Sequence, residues 1–489
     1  MKWANILTAS VLTILYLVTT LVIALLGTEY AEFPRIDAIS IMSLGAFVAL
    51  CGLGLLNQRF YLLILIFMIV GFPTAVDNFI PGVYTGDNTE IGASIFPFFT
   101  HLDIYLVIGI IRYSQGSFNP EYVAIARPIM VVLLLIFCSF LINLFDSKNI
   151  YEAELLLTGA FQFRYLILIY FILLLLKEQR LKWIAFGFAI SIYFLLVESA
   201  AFTLINGYDR LQSGSLATNT FGNIVAQMSL FLFFFSKEYK TLSYARIFLL
   251  GAAVTGLLIA LLSGTRMSIL SAVAVYAVAW AYRRFTATHL IRVTVVGGMF
   301  IGAVLYFNLY EQLPKKFRVW EFVTPAMVQQ ILSEHRATTA VPITPEASSI
   351  ITRIQLFRTS ANMIVSDPVW GIGAGRWNYL KTAFGFDSPI LIDSHNGYLA
   401  LLSQYGVPGG TVMIFFLLLV PSLLFLRHIG RYKRISDSGV WLLGVVSFGM
   451  AICEFSNAGI FKPQVYAILA FVALKLFAQS KIEGYEAKN

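Results

Sequence analysis

The chain has 489 residues, of which 58% are hydrophobic and 12% charged, with a formal net charge of +8 and a mean hydropathy of +0.79. A soluble globular chain is about half apolar and about a quarter charged, so this composition excludes a water-soluble domain. The basic excess does not point to nucleic acid, because Lys and Arg fall in short loops between apolar runs.

Those runs are about 20 residues long, the length that crosses a hydrocarbon core. They predict about fourteen transmembrane helices (twelve at the least) in an all-α polytopic membrane protein. In chain order these are 5–27, 36–56, 59–80, 96–112, 128–145, 155–176, 183–205, 219–236, 245–262, 267–282, 290–308, 396–426, 439–455 and 463–479. The first is too long for a signal-peptide core and no A-x-A-like site follows it, so it reads as a retained span. The fourth span contains His101 and Asp103, and the sixth contains Gln162 and Arg164. Cys51, Cys138 and Cys453 lie inside apolar runs and form neither a disulfide framework nor a metal-ligand spacing. The chain divides into N-terminal spans (1–205), a second group of spans (206–308), one large loop (309–394) and C-terminal spans (395–489).

Orientation follows from the loops. Four are rich in Lys and Arg: Lys177/Arg180/Lys182, Lys237/Lys240/Arg246, Arg283/Arg284/Arg292 and Arg427/Arg431/Lys433/Arg434. All fall on one side of the fourteen-span scheme, while the alternate loops are acidic or mixed, such as Asp87/Glu90 and Asp146/Glu152/Glu154. The positive-inside rule makes the basic side cytoplasmic, so both termini are expected inside. The opposite face, periplasmic or external in a bacterium, then carries the loop 206–218, the turn at Ser263–Met267, the large loop 309–394 and the turn at Ser456–Lys462.

The large loop has structure of its own. Apolar Ile351, Ile354, Leu356, Phe357, Ala361, Ile364 and Val365 predict an amphipathic helix over 350–365, ended by Asp367–Pro368. The glycine-rich run WGIGAGRW, Trp370–Trp377, lacks the strand–helix context of a dinucleotide fingerprint and reads as a tight turn against the membrane surface.

Four arginines and one histidine stand out. Arg266, in LLSGTRMSIL, has two readings: a planar fork of donors for phosphate oxygens, or an anchor that snorkels to headgroups. Arg210 precedes a helix start rich in Asn and Gly, and either pairs with Asp209 or helps to form an anion site. Arg164 either faces a polar cavity within the membrane or snorkels outward. Arg353 flanks the amphipathic stretch. His395, with Asn396, stands where the large loop enters a long span; it is either a helix-end residue or a general base, since histidine alone titrates near neutrality unperturbed. The outer face has no D-x-D pair, H-E-x-x-H motif or Cys/His cluster, and the chain has no P-loop or G-x-S-x-G elbow. No metal and no cofactor is expected. No repeat symmetry of a transporter is visible, although a transporter for a lipid-linked glycan would also need intramembrane arginines.

Over residues 200–426 the chain resembles the superfamily of O-antigen ligases and Wzy-type O-antigen and exopolysaccharide polymerases. The resemblance rests on Arg210 with Asn219 and Asn223, the SGTR turn at Arg266, the stretch TRIQLFRTSANMIVSDPVWGIGAGRW and the signature HNGYLALLSQYGVPG. It implies a GT-C-like membrane glycosyltransferase whose donor is a glycan on undecaprenyl pyrophosphate. The acceptor is a sugar hydroxyl, on lipid A–core in ligases or on another lipid-linked glycan in polymerases. By similarity His395 is the base, Arg210 and Arg266 lie near the pyrophosphate, Arg353 matches a recurrent loop arginine, and Asn396 belongs to the histidine signature. The implied setting is a bacterial inner membrane, with a chain-length regulator as a candidate partner. Fixed guanidinium groups stabilise a departing pyrophosphate, and a one-step attack would invert the anomeric centre, since no paired carboxylate nucleophile is evident. Polymerisation is the first expectation and ligation the alternative.

Overall fold

The computed structural model describes residues 38–70, 101–114, 126–148, 181–206, 218–236, 243–282, 345–386, 394–419 and 448–455, with isolated positions such as Glu152, Leu156 and Leu211 between them. The expected spans 5–27, 290–308 and 463–479, and most of 155–176, lie outside the described residues. Among the described residues all regular structure is helical. The helices are α1 (Ala38–Leu56), α2 (Gln58–Val70), α3 (His101–Tyr113), α4 (Ala126–Phe145), α5 (Leu181–Asn206), α6 (Thr218–Phe235), α7 (Tyr244–Leu262), α8 (Arg266–Tyr282), α9 (Pro345–Ser366), α10 (Trp377–Leu380) and α11 (Gly397–Ile414). A π turn, Phe415–Leu419, continues α11, and residues 448–453 are also helical.

The packing is that of a membrane bundle. On α7, Ala252, Ala253, Gly256, Ile259 and Ala260 are buried, whereas Val254, Leu257, Leu258, Leu261 and Leu262 are exposed. The exposed positions recur at i, i+3, i+4, i+7 and i+8, one apolar helical stripe facing outward. Small residues face the neighbours, which lets backbones approach closely. In water such a stripe would be an aggregation liability; against lipid it needs no cover. Stretches within α5 and α7, Lys182–Ala200 and Tyr244–Leu262, are long and apolar enough to cross a membrane.

Helix α6 is the centre of this arrangement. From Phe221 to Phe235 all but one of its positions are buried, the polar Asn223, Gln227 and Ser229 among them. Gly222 packs on the side chains of Ser263 and Thr265, and Gly256 of α7 packs on Ser229. At the far end of the chain order, α2 and α3 are locked by a reciprocal pair: the Tyr61 hydroxyl donates to the Tyr105 carbonyl at 2.9 Å, and the Tyr105 hydroxyl donates to the Tyr61 carbonyl at 3.0 Å. Their rings stack at 4.5 Å.

The described part of the large loop builds a small core beneath it, made of Leu356, Met363, Ile372, Trp377 and Phe386. The amphipathic stretch is helix α9, longer at both ends than its apolar pattern indicated. The glycine-rich run is a turn, with Gly371, Gly373 and Gly375 all in the left-handed region. It closes on helix α11: Ile372 and Gly373 donate to the carbonyls of Ser403 and Gln404 at 2.9 and 3.1 Å. Helix α11 opens to receive it. Gly406 there has φ 71° and ψ 173°, and Pro408 follows. Any Cβ on Gly406 would overlap the Val369 carbonyl, so the two chains meet backbone to backbone.

A buried ion pair ties the same turn to the N-terminal half. Arg376 Nη2 lies 3.0 Å from Glu152 Oε2, with side-chain exposures of 6% and 3%. Arg376 Nη1 also donates to Asn143 Oδ1 at 3.4 Å. Breaking such a pair leaves an uncompensated buried charge, at about 3–5 kcal/mol. Glu152→Gln should therefore lower the thermal unfolding midpoint of the purified protein clearly. Replacing both partners by apolar residues, Glu152→Leu with Arg376→Met, should restore much of the loss.

Candidate active site

The site is assembled where four chain segments meet. Helix α7 ends at Ser263, whose N–H donates to the Ile259 carbonyl at 2.8 Å, and Gly264 turns the chain in the left-handed region, φ 68°. This is a glycine-terminated helix end. Two residues later Arg266 opens α8. Helix N-termini present unpaired N–H groups and the positive end of the dipole, so the guanidinium and the helix start share a preference for anions. The Arg266 side chain lies outside the described residues, as do Arg210 and Arg164. The position after Arg210 is described: Leu211 N–H donates to the Leu262 carbonyl at 3.2 Å. The backbone beside Arg210 is thus docked at the turn that leads to Arg266, 56 positions away in sequence.

His395 stands at the entrance to α11. It is the one non-glycine residue with positive φ among those described, at 49°. A left-handed conformation is uncommon outside glycine, and such strain, of order 1–3 kcal/mol, persists where the surroundings enforce it, often at functional sites. The surroundings here are explicit. Ser394 Oγ donates to the Asn396 carbonyl at 2.8 Å. Asn396 caps α11, its Oδ1 accepting from Leu399 N–H at 2.9 Å, while its Nδ2 donates to the Phe455 carbonyl at 2.9 Å. Gly397 N–H donates to the Glu454 carbonyl at 2.8 Å. Asn396, expected in a substrate-binding role, has Oδ1 and Nδ2 each bonded to the protein and so fixes the backbone beside the histidine.

The segment 448–455 joins the two halves. Cys453 Sγ donates to Ser271 Oγ of α8 at 3.2 Å, and Ser271 Oγ accepts from Gln227 Nε2 of α6 at 2.7 Å. One residue on, Glu454 is 1% exposed and its carboxylate occupies the space that a Cβ on Gly397 would need. Glu454 is a titratable group at the heart of the site that the sequence reading did not single out. Its signal was present: an acidic residue at the edge of the apolar run MAIC, where intramembrane carboxylates are expensive and usually functional.

Arg353 sits on α9, half-buried, three residues before Leu356 of the loop core. Burial lowers its pKa from the usual arginine value. That marks a cation removed from bulk water, a setting that strengthens its attraction for an anion.

No curated protein matches the chain. Residues 251–414, about a third of its length, match a family model described as O-Antigen ligase. The matched segment holds Arg266, Arg353, His395 and Asn396, and leaves Arg210, Arg164 and Glu454 outside. Over residues 251–414 the chain is therefore similar to the O-antigen ligase family, the relation that its SGTR turn and HNGY motif indicated, and its described residues there are helical or in turns.

Proposed function

We propose that this chain is an integral membrane glycosyltransferase that moves a glycan from undecaprenyl pyrophosphate to an acceptor sugar hydroxyl, on the external face of a bacterial inner membrane. The observation that carries the reading is the strained, doubly anchored His395, held by one short segment against the helix that Arg266 opens. Leu211, Ser263 and Ser394, in loops that charge alone assigns to one side, and Phe455, which adjoins a fourth, supply contacts of that site. His395 takes the proton from the acceptor hydroxyl as its oxygen bonds to the anomeric carbon. The bond from that carbon to the pyrophosphate breaks with its electron pair on the leaving group, where Arg210 and Arg266 stabilise the charge. Arg353 and Arg164 are further candidates for holding the anionic donor. No metal or cofactor is required by this scheme. The large loop, closed on α11, excludes water that would hydrolyse the donor. The fold is GT-C-like with about fourteen spans, both termini cytoplasmic.

Polymerisation of O-antigen or exopolysaccharide repeat units is the first reading, with a chain-length regulator as partner. The family description favours a second, transfer to lipid A–core. The test gives purified protein a lipid-linked repeat unit, alone or with lipid A–core, and reads product length on a gel. Joining of units to one another without lipid A–core supports the polymerase; product only with lipid A–core supports the ligase; product in neither arm overturns the proposal.

The sidedness has its own check. Single cysteines in 345–386 and in 427–434, on a background lacking the three native thiols, should differ toward an impermeant thiol reagent in intact cells. Labelling of the first and protection of the second is expected; the reverse pattern would place the site on the cytoplasmic face.

A further inference from the structure

Central helix α6 carries two carboxamides one turn apart, Asn223 and Gln227, both buried. Side chains at i and i+4 lie on one face of a helix, so both belong to the line that faces α8. Gln227 is the inner member. Its Nε2 donates to Ser271 Oγ, and Gly449 packs so tightly on its Oε1 that a ligand has no room there. Asn223 is the outer member, level with the first turn of α8 and next to Gly222, which packs on Ser263 and Thr265. It is 2% exposed, and neither Oδ1 nor Nδ2 has a hydrogen-bond partner. Buried polar groups are nearly always paired, and a fully unpaired carboxamide beside the turn between α7 and α8 is a group built for something else to bind.

The chemistry of the carboxamide selects the ligand. It offers one acceptor and one donor edge side by side. A pyrophosphate supplies acceptors only, and would satisfy Nδ2 while setting its charge against Oδ1. A prenyl chain supplies neither. A sugar supplies both, through a hydroxyl pair or an acetamido group. Resting on the glycan-transfer reading above, we infer that Asn223 binds the sugar directly attached to the donor's pyrophosphate, and so determines which donor sugar is accepted. Its place one helical turn from the level of Ser271 sets it beside the turn that opens α8 at Arg266.

The experiment measures binding to the full-length protein in nanodiscs, for wild type, Asn223→Leu and Asn223→Ser. The probes are undecaprenyl-pyrophosphate-linked glycan, sugar-free undecaprenyl pyrophosphate, and an acceptor glycan without lipid. Two neutral hydrogen bonds lost correspond to about tenfold weaker binding. Asn223→Leu should therefore bind the glycan-bearing lipid about tenfold or more weakly and the sugar-free lipid unchanged, with Asn223→Ser between wild type and Leu. Equal affinity of wild type and Asn223→Leu for the glycan-bearing lipid would overturn the inference, with the transfer reading intact. So would an equal loss for both lipids, a loss confined to the acceptor, or failure of both variants to fold, each of which gives Asn223 another role. Wild-type protein that binds neither lipid would instead overturn the transfer reading itself.

Discussion

His395→Ala should lower glycan transfer by about 10²–10⁴-fold, the usual range for loss of a general base, while the protein inserts and binds its lipid-linked donor as before. The structure makes the separation of effects credible. The backbone at His395 is held by its neighbours: Ser394 Oγ bonds to Asn396 across it, and Asn396 caps α11. Removing the imidazole leaves those bonds in place. His395→Gln keeps a hydrogen-bonding group but cannot take a proton near neutral pH, and should fare little better. Near-normal transfer by the Gln variant would reduce His395 to a positioning residue.

The arginines should show the second large effect. Arg210 and Arg266 are expected to converge on one anion, and Leu211, next to Arg210 in sequence, bonds to Leu262 at the turn before Arg266. Arg→Lys keeps the charge but loses the bidentate fork. Each Lys variant should lose most of its transfer rate, and each Ala variant more, at normal expression. A raised requirement for donor would accompany the loss if the arginines hold the ground state. A lower maximal rate alone would mean that they act only as the pyrophosphate departs. Normal polymer from both Lys and both Ala variants would remove the pyrophosphate clamp from the account.

Much of this was legible in the sequence because membrane helices announce themselves. α7 and α8 begin within a residue of where the apolar runs predict them, and α9 follows from the spacing of Ile354, Leu356, Phe357 and Ala361. The position of His395 at a helix entrance was legible for the same reason. The break at Gly406 was not drawn, although GVPGG spells it, because the span 396–426 reads as one apolar run and only the approach of Val369 shows why the helix must open. Glu454 lies at the end of the span 439–455, where a polar residue is ordinary, and only the packing of Gly397 against it brings it to the site. The pairing of Arg376 with Glu152 joins positions 224 apart, and nothing local in either segment names the other. Asn396 was legible as a helix cap by its residue type, yet the use of its Nδ2 depends on Phe455, which a single sequence cannot bring alongside.

The central claim is that a prenyl pyrophosphate leaves as a sugar hydroxyl attacks, with His395 as base. It is tested most directly by purified protein in liposomes, given only lipid-linked glycan and acceptor, with EDTA and without nucleotide sugar. The account predicts that each glycan joined releases one undecaprenyl pyrophosphate in the wild type and that the His395→Gln variant releases almost none. Transfer that needs a nucleotide sugar or an added divalent cation, or equal release by the His395→Gln variant, would contradict it.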